Sequence, residues 1–330
     1  MTKSKYIAIF IILILLGSGV YAFLNRPKYT GPVENITVGV VPQFSYLVLL
    51  AQEKGYFTEN GLNVVTKNYK TGPPIVKDML DNKLDAGVTA EFVFVRNSFN
   101  SQDIKILSNI STSHVLRFVA RSDHGIKTPA DLKGKKVGIT KGAATEFFLD
   151  RFLVFNGMTQ KDVVIANLAP AEIVDKMLDG TIDAGMPFSN DAYTIENSLG
   201  EKIVTWDGQK SQDSYTLLLA NEKFVTSHKD AVERFIKALL QAQDYAKANQ
   251  KEAIAFFAKI TSLNDQDALK FYPQFRPEIS LFQSLLLALE NQAQWMIDNK
   301  LTDKTAMPHF QDYIYTDALK KIKLDAVTVF

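Results

Sequence analysis

No cysteine occurs anywhere in the 330 residues. That single absence excludes disulfides, thiolate nucleophiles, cysteine zinc sites and iron–sulfur ligation. Histidine is scarce, with four, and the chain contains no G-x-S-x-G, no HExxH and no phosphate-binding P-loop signature. An excess of either charge is missing as well: 37 lysines and arginines face 36 acids, a formal net charge of +1. Bulk electrostatics therefore implies no nucleic-acid partner. None of these signatures points to a catalytic residue, a metal or a cofactor, and none of the three is expected. What remains is a hydrophobic content of 46% with 22% charge, the composition of a globular chain long enough for about two domains.

Only one long apolar run is present, at the very start. Lys3 and Lys5 precede Tyr6–Leu16, and Val20-Tyr21-Ala22 follows. A basic head, a short apolar stretch and a small-residue site predict a secretory signal peptide over residues 1–22. Tyr6–Leu24 could instead just span a bilayer as an uncleaved anchor. In "LLGS" (Leu15–Ser18) a serine stands where a lipid-accepting cysteine would be needed, so that route to the membrane is closed. On either reading the rest of the chain lies outside the cytoplasm. Residues 23–35, with Pro27, Gly31 and Pro32, read as a linker.

The chain then repeats itself. "IVKDMLDNKLDAGVT" begins at Ile75 and "IVDKMLDGTIDAGMP" at Ile173, and "VGVVPQFSYLVL" from Val38 is echoed by "VGITKGAATEFFL" from Val137. Each copy spells strand, helix, strand, helix, strand. β-Branched runs such as "ITVGVV" end at turn residues, and Gly55 and Gly157 stop the first helices. This order predicts parallel strands with crossover helices. "HVLRFVARSD" (114–123) and "SYTLLLANEKF" (214–224) are β-rich joins between the copies, and the chain from about His228 is helical. The expected architecture is α/β with two lobes, each a mostly parallel sheet flanked by helices. Residues 36–116 and 220–330 would form lobe 1, and 117–219 an inserted lobe 2, with a two-strand hinge. Ligands of open α/β sheets bind beyond the carboxyl ends of the strands, so the facing ends would form a cleft.

"AQEKGYFTENGLNVV" (Ala51–Val65), "KTPADLKGKKVGITKGAATEFFL" (Lys127–Leu149) and the paired "DAG" motifs at Asp85 and Asp183 carry a resemblance. The chain resembles the extracytoplasmic solute-binding proteins of ABC importers, in the branch for nitrate, sulfonates, taurine and thiamine-precursor pyrimidines. The likeness covers about residues 34–325. It implies a type 2 periplasmic-binding-protein fold without catalytic residues, acting as a monomer that closes on a small ligand and delivers it to a membrane permease. A sulfonate-like anion is the expected cargo; a pyrimidine precursor, or a membrane-anchored ligand sensor, is the alternative.

Helix N-termini at strand ends offer unpaired N–H groups and a positive dipole end, which suit an anion. On that basis the expected ligand residues are Gln43, Phe44 and Ser45, Thr71 and Gly72, Ala144 and Thr145, and Phe188, Ser189 and Asn190. The hydroxyls at 45, 71, 145 and 189 could donate to ligand or cap their own helices. Many relatives carry a tryptophan-acid-proline motif where this chain has Phe188 and Ser189, so a ligand amine loses its expected carboxylate. Glu91, at the matching end of the first copy, could replace it or could serve only as a helix-start acid. His114, just before the first join, is the one histidine placed near the expected hinge.

Overall fold

The computed structural model describes residues 29–210 and 212–329; the expected signal peptide, residues 1–22, lies outside them, as do the side chains of Ser189 and Asn190. The first sheet takes strands β1 (Glu34–Val40), β2 (Leu62–Asn68) and β3 (Ala86–Ala90) from the first copy, with helices α1 (Tyr46–Glu53) and α2 (Gly72–Leu80) as crossovers. Helix α3 (Glu91–Ser98) follows, and β4 (Ile104–Ser113) leads into β5 (Arg117–Arg121), the first strand of the other sheet. The second copy supplies β6 (Lys136–Ile139), α4 (Ala144–Phe155), β7 (Val164–Asn167), α5 (Pro170–Leu178) and β8 (Ala184–Gly185). After α6 (Ser189–Leu199) and β9 (Ile203–Asp207), strand β10 (Ser214–Asn221) returns to the first sheet. The C-terminal part is led by α7 (Lys229–Ala248), α8 (Gln250–Thr261), α9 (Asp265–Phe271), β11 (Phe275–Ser280) and α10 (Gln283–Asp298).

The sheets run β11-β4-β10-β3-β1-β2 and β7-β6-β8-β5-β9. Both contain the expected parallel core, β3-β1-β2 and β7-β6-β8. Antiparallel strands complete them, so each sheet is mixed. The reason is geometric. A strand that enters a sheet from the crossing must run away from it, opposite to strands that end there, and β5 and β10 are such strands.

The repeated words are explained by packing. Gly39 is the register partner of Gly87, and Gly138 of Gly185. Over the first pair lies Ile75: a Cβ on Gly87 would stand 2.3 Å from its Cγ2, and a Cβ on Gly39 2.9 Å from the same atom. Over the second pair lies Ile173, with a Cβ on Gly185 reaching 3.1 Å from its Cγ2. Each crossover helix thus seats an isoleucine on a strip of bare backbone, which only glycine leaves open. The aspartate of "DAG" has the same job twice. Asp85 Oδ2 accepts from the Thr37 N–H at 2.7 Å, and Asp183 Oδ2 from the Lys136 N–H at 2.8 Å. Each carboxylate thereby satisfies a donor on the neighbouring strand.

A large apolar core runs from the first sheet into the second, joining Val38, Leu47 and Leu219 to Phe118, Phe147 and Phe148. A smaller one, built on Ile173, Met177, Ile182 and Ile195, packs with Val119 of the second sheet. Burying each such side chain contributes roughly 1.5–3 kcal/mol. Two crossings link the sheets, at 114–116 and 208–213. Gln209 fastens them: its Oε1 accepts from Val115 N (2.6 Å) and Leu116 N (2.7 Å), and its Nε2 donates to Ser113 O (3.1 Å) and Ser214 Oγ (3.0 Å). It is 1% exposed, so the amide sits between the crossings as an internal rivet. Among the described residues, no helix is long and apolar enough to cross a membrane.

Candidate functional site

The carboxyl ends of β1, β2 and β3 lie at one edge of the first sheet, since Val40 pairs with Asn68 and Gly39 with Gly87. The corresponding ends of β6, β7 and β8 share an edge of the second, with Ile139 beside Asn167 and Gly138 beside Gly185. Contacts between the two halves show that these edges face each other. Arg96 of α3 donates to the Gly142 carbonyl at 3.2 Å, and Trp295 Nε1 of α10 donates to Asp150 Oδ2 at 3.0 Å. The Trp295 ring also meets Phe147 edge-on, with centroids 5.6 Å apart. A second set lies near α9, where Tyr193 packs on Phe271 (centroids 4.4 Å) and accepts from Gln274 Nε2 at 3.1 Å.

Helix starts from both halves are brought to this interface, but they are not equivalent. At α1 the Ser45 hydroxyl is fully buried and accepts from the Val41 N–H at 3.2 Å, so it is turned into its own loop. Gln43 and Phe44 line a narrow pocket with Ser111, Tyr272 and Phe275. At α2, Thr71 is exposed and makes no capping bond, while Gly72 is buried. Pro73 and Pro74 follow, and because proline has no N–H this helix start loses two of its four free donors.

The start of α4 keeps two donors, while the Ala143 and Glu146 N–H groups bond to the Thr140 and Ala143 carbonyls at 3.3 and 3.0 Å. Ala144 and Thr145 are its first two residues, where no preceding turn supplies a carbonyl. Glu146 directs its carboxylate to the Gly142 N–H at 2.7 Å. The Thr145 hydroxyl is 1% exposed and has no hydrogen-bond partner. A buried, unpaired hydroxyl costs about 1–3 kcal/mol, and it lies beside amides that favour negative charge. Arg96 and exposed Lys141 add cationic character at the same loop. At α6, Phe188 is the residue before the first turn and is 38% exposed. Ser189 and Asn190 occupy that turn, and Asp191 follows with its pKa raised by burial.

Two expected ligand residues are placed differently. Glu91 is 1% exposed. Its carboxylate accepts from Gln292 Nε2 at 2.9 Å and from backbone N–H groups of Glu91, Tyr215 and Phe92. Burial nevertheless pushes its pKa up to about 7, against the pull of those bonds. It ties α3, β10 and α10 together. His114 is in the segment that joins the sheets, with both ring nitrogens engaged, Nε2 with Asp207 at 2.8 Å and Nδ1 with Asp213 at 3.0 Å. Desolvation lowers its pKa, but the two aspartates outweigh that and hold it above the ordinary histidine value.

Arg96, Trp295, Tyr193 and Gln209 were not singled out by the sequence. Trp295 and Arg96 read as ordinary helix positions, and nothing local marks a residue whose partner lies on the other sheet. Among the described residues no group of three or more acids or histidines could hold a metal ion.

A protein-family model described as NMT1/THI5 like matches residues 43–253. A putative aliphatic sulfonates-binding protein of Bacillus subtilis is 25% identical over 317 residues, covering 92% of both chains. A 4-amino-5-hydroxymethyl-2-methylpyrimidine phosphate synthase of Candida albicans is 24% identical over 244 residues, covering 68% of this chain and 70% of that one. Among solved structures, the periplasmic aliphatic sulphonate binding protein SsuA of Escherichia coli superposes with a TM-score of 0.75 at 17% identity, over 89% of this chain and 99% of its own. At that identity the superposition speaks for the fold.

Proposed function

This chain belongs to the NMT1/THI5-like family, and from that premise we propose that it is an extracytoplasmic solute-binding protein for a small organic anion of the sulfonate class. It captures its ligand between the two sheets and passes it to an ABC permease. The observation that carries this reading is the start of α4, where the Thr145 hydroxyl has no partner and Arg96 from the opposite half reaches the Gly142 carbonyl of the same loop. A sulfonate offers three acceptor oxygens to such donors. Charge-assisted hydrogen bonds contribute about 1.5–3 kcal/mol each, and a helix terminus about 0.3–1 kcal/mol. A handful of them, less the cost of ordering and closure, reaches roughly the −8 kcal/mol of a micromolar complex.

Thr71, Ala144, Thr145, Phe188, Ser189 and Asn190 are the proposed ligand contacts, with Gln43 and Phe44 as the wall on the first sheet. Glu91 and Gln209 support the cleft from beneath. Residues 1–22 act as the export signal or anchor. The pyrimidine alternative draws on the relative named as a pyrimidine phosphate synthase and on Phe44 and Phe188, which could flank a flat ring. The relative named for sulfonates covers more of the chain, and the cysteine-free, exported sequence favours binding over catalysis.

Isothermal titration with ethanesulfonate, taurine, nitrate, acetate and a 4-aminopyrimidine tests the reading. We expect a single saturable site for an alkanesulfonate near the micromolar range. Binding of the pyrimidine alone would transfer the proposal to the thiamine-precursor class.

A further inference from the structure

The two crossings lie side by side. Ser113 pairs with Ser214 on the first sheet, and Arg117 with Asp207 on the second. The segments 114–116 and 208–213 therefore span the same gap in opposite directions. Any rotation of one half on the other must be absorbed there, since the paired strands on either side resist it. Gln209 joins the crossings through neutral amide bonds, which no change of pH near neutrality alters. His114 joins them a second time, through charge.

Its ring reaches both ends of the return crossing. Nε2 lies 2.8 Å from Oδ1 of Asp207, the last residue of β9, and Nδ1 lies 3.0 Å from Oδ1 of Asp213, the residue before β10. One carboxylate thus belongs to each half. Ionised carboxylates accept hydrogen bonds and donate none, whereas a neutral imidazole has one donor and one acceptor. Both contacts are satisfied together only when each ring nitrogen carries a proton. A neutral ring would turn a lone pair toward one of the two acids. Burial lowers the pKa of the imidazole, but the two aspartates outweigh that and hold it above the ordinary value of 6.5. The ring and both acids are partly exposed, so protons reach them from solvent without unfolding.

The other charged groups around the ring leave this arrangement intact. Arg276 of β11 pairs with Asp213 through Oδ2, the oxygen that His114 does not use. Arg117 of β5 is turned to Glu196 and to the Tyr193 hydroxyl, at 3.2 Å each. Lys210 is the remaining charged residue of the return crossing. Burial raises the pKa of the Tyr215 phenol, which is therefore neutral in this range. Gln274 presents a carbonyl, which accepts from the His114 N–H at 3.2 Å.

We infer that His114 is a proton-dependent staple across the hinge: charged, it ties Asp207 of the second sheet to Asp213 at the foot of β10 and holds the halves in contact, and neutral, it frees one acid and lets them part. The staple is complete below the ordinary histidine value and is lost as pH rises through the higher, paired value. It acts on the hinge alone and holds whatever ligand the cleft takes.

The absence of cysteine permits a direct test on the full chain. Lys70→Cys and Ala171→Cys place spin labels at exposed positions, one on each half. Double electron–electron resonance then reads their separation from about pH 5.5 to about pH 9.5, either side of the histidine range. The long-distance population should rise about threefold to tenfold over that interval, the scale of two partly exposed ion pairs. His114→Gln, neutral throughout, should give one distribution at every pH. Its side chain is partly exposed, so the variant keeps the fold, checked by circular dichroism. Heteronuclear NMR of the unsubstituted protein should show both His114 ring nitrogens protonated, with a midpoint above 6.5. A ring that titrates at or below that value overturns the inference. So do separations that ignore pH, or a response that persists in His114→Gln.

Discussion

The two repeated units share one skeleton and differ at their open ends. In both, an isoleucine of the crossover helix rests on a glycine pair, and an aspartate caps a neighbouring strand. Beyond the strands the likeness stops. Ser45 turns its hydroxyl into its own loop, Pro73 and Pro74 remove donors, and Glu91 is sealed beneath α10. The second unit leaves the Thr145 hydroxyl unpaired beside the first two amides of α4, those of Ala144 and Thr145. What the duplication preserves is the packing of a sheet; chemistry varies in the loops that this packing holds in place.

The largest effect expected from breaking the shared skeleton is at Gly87. A Cβ there meets Ile75 Cγ2 at 2.3 Å and Met79 Sδ at 2.9 Å, whereas at Gly185 the nearest atom is 3.1 Å away. Gly87→Ala should lower stability by about 3 kcal/mol, the upper part of the overpacking range, and Gly185→Ala by about 1 kcal/mol. Urea unfolding of the two variants measures the gap, and equal losses would contradict the packing account.

Glu91 has no counterpart in the second unit and should make stability depend on pH. Its folded pKa, about 7, is raised above the ordinary glutamate value of 4.5. The folded state therefore holds a proton that the unfolded state releases between those values, so stability falls as pH rises from 4.5 to 7. At about 1.36 kcal/mol for each pH unit between the two values, the whole drop is roughly 3 kcal/mol. Glu91→Gln should flatten that slope in melts taken across the same interval. A slope unchanged by the substitution would mean that other groups carry it.

The hydroxyls come next. Thr145→Val should weaken alkanesulfonate binding about tenfold with no loss of apo stability, since it replaces an unpaired buried hydroxyl by a methyl group of similar shape. Ser45→Ala should do the reverse: affinity within about twofold, and stability lower by about 1 kcal/mol through loss of the bond from Val41 N. Titration and melting of both variants sharpen the contrast between the units. The smallest effect is at His124, which pairs with Asp183 at 2.7 Å in addition to the strand N–H that Asp183, like Asp85, accepts from. Both partners are partly exposed, so His124→Ala should cost under about 1 kcal/mol in melts near neutral pH.

The fold was legible because its signals are local and repeated. Strand, helix and turn residues follow one another in each copy, and the "DAG" echo marks equivalent positions that the sheets place in equivalent contacts. The antiparallel strands were less legible, since the direction of β5 and β10 depends on where the crossings enter a sheet. At the cleft, strand ends and helix starts could be read, but not the direction of a hydroxyl: Ser45 and Thr145 look alike in the sequence and point to different surroundings. Gln209 and Trp295 act on residues far away in the chain, Val115 and Asp150, and no spacing rule reveals such pairs. The same holds for His114: its place before the first join could be read, while the aspartates that occupy its ring, Asp207 and Asp213, are distant in sequence.

The most direct measurement is an amide NMR titration with ethanesulfonate. Saturable shifts should centre on the N–H groups of Ala144 and Thr145, with smaller changes across the interface at Thr71 and Arg96. Saturable binding that leaves Ala144 and Thr145 unmoved would contradict the claim that the start of α4 holds the anion.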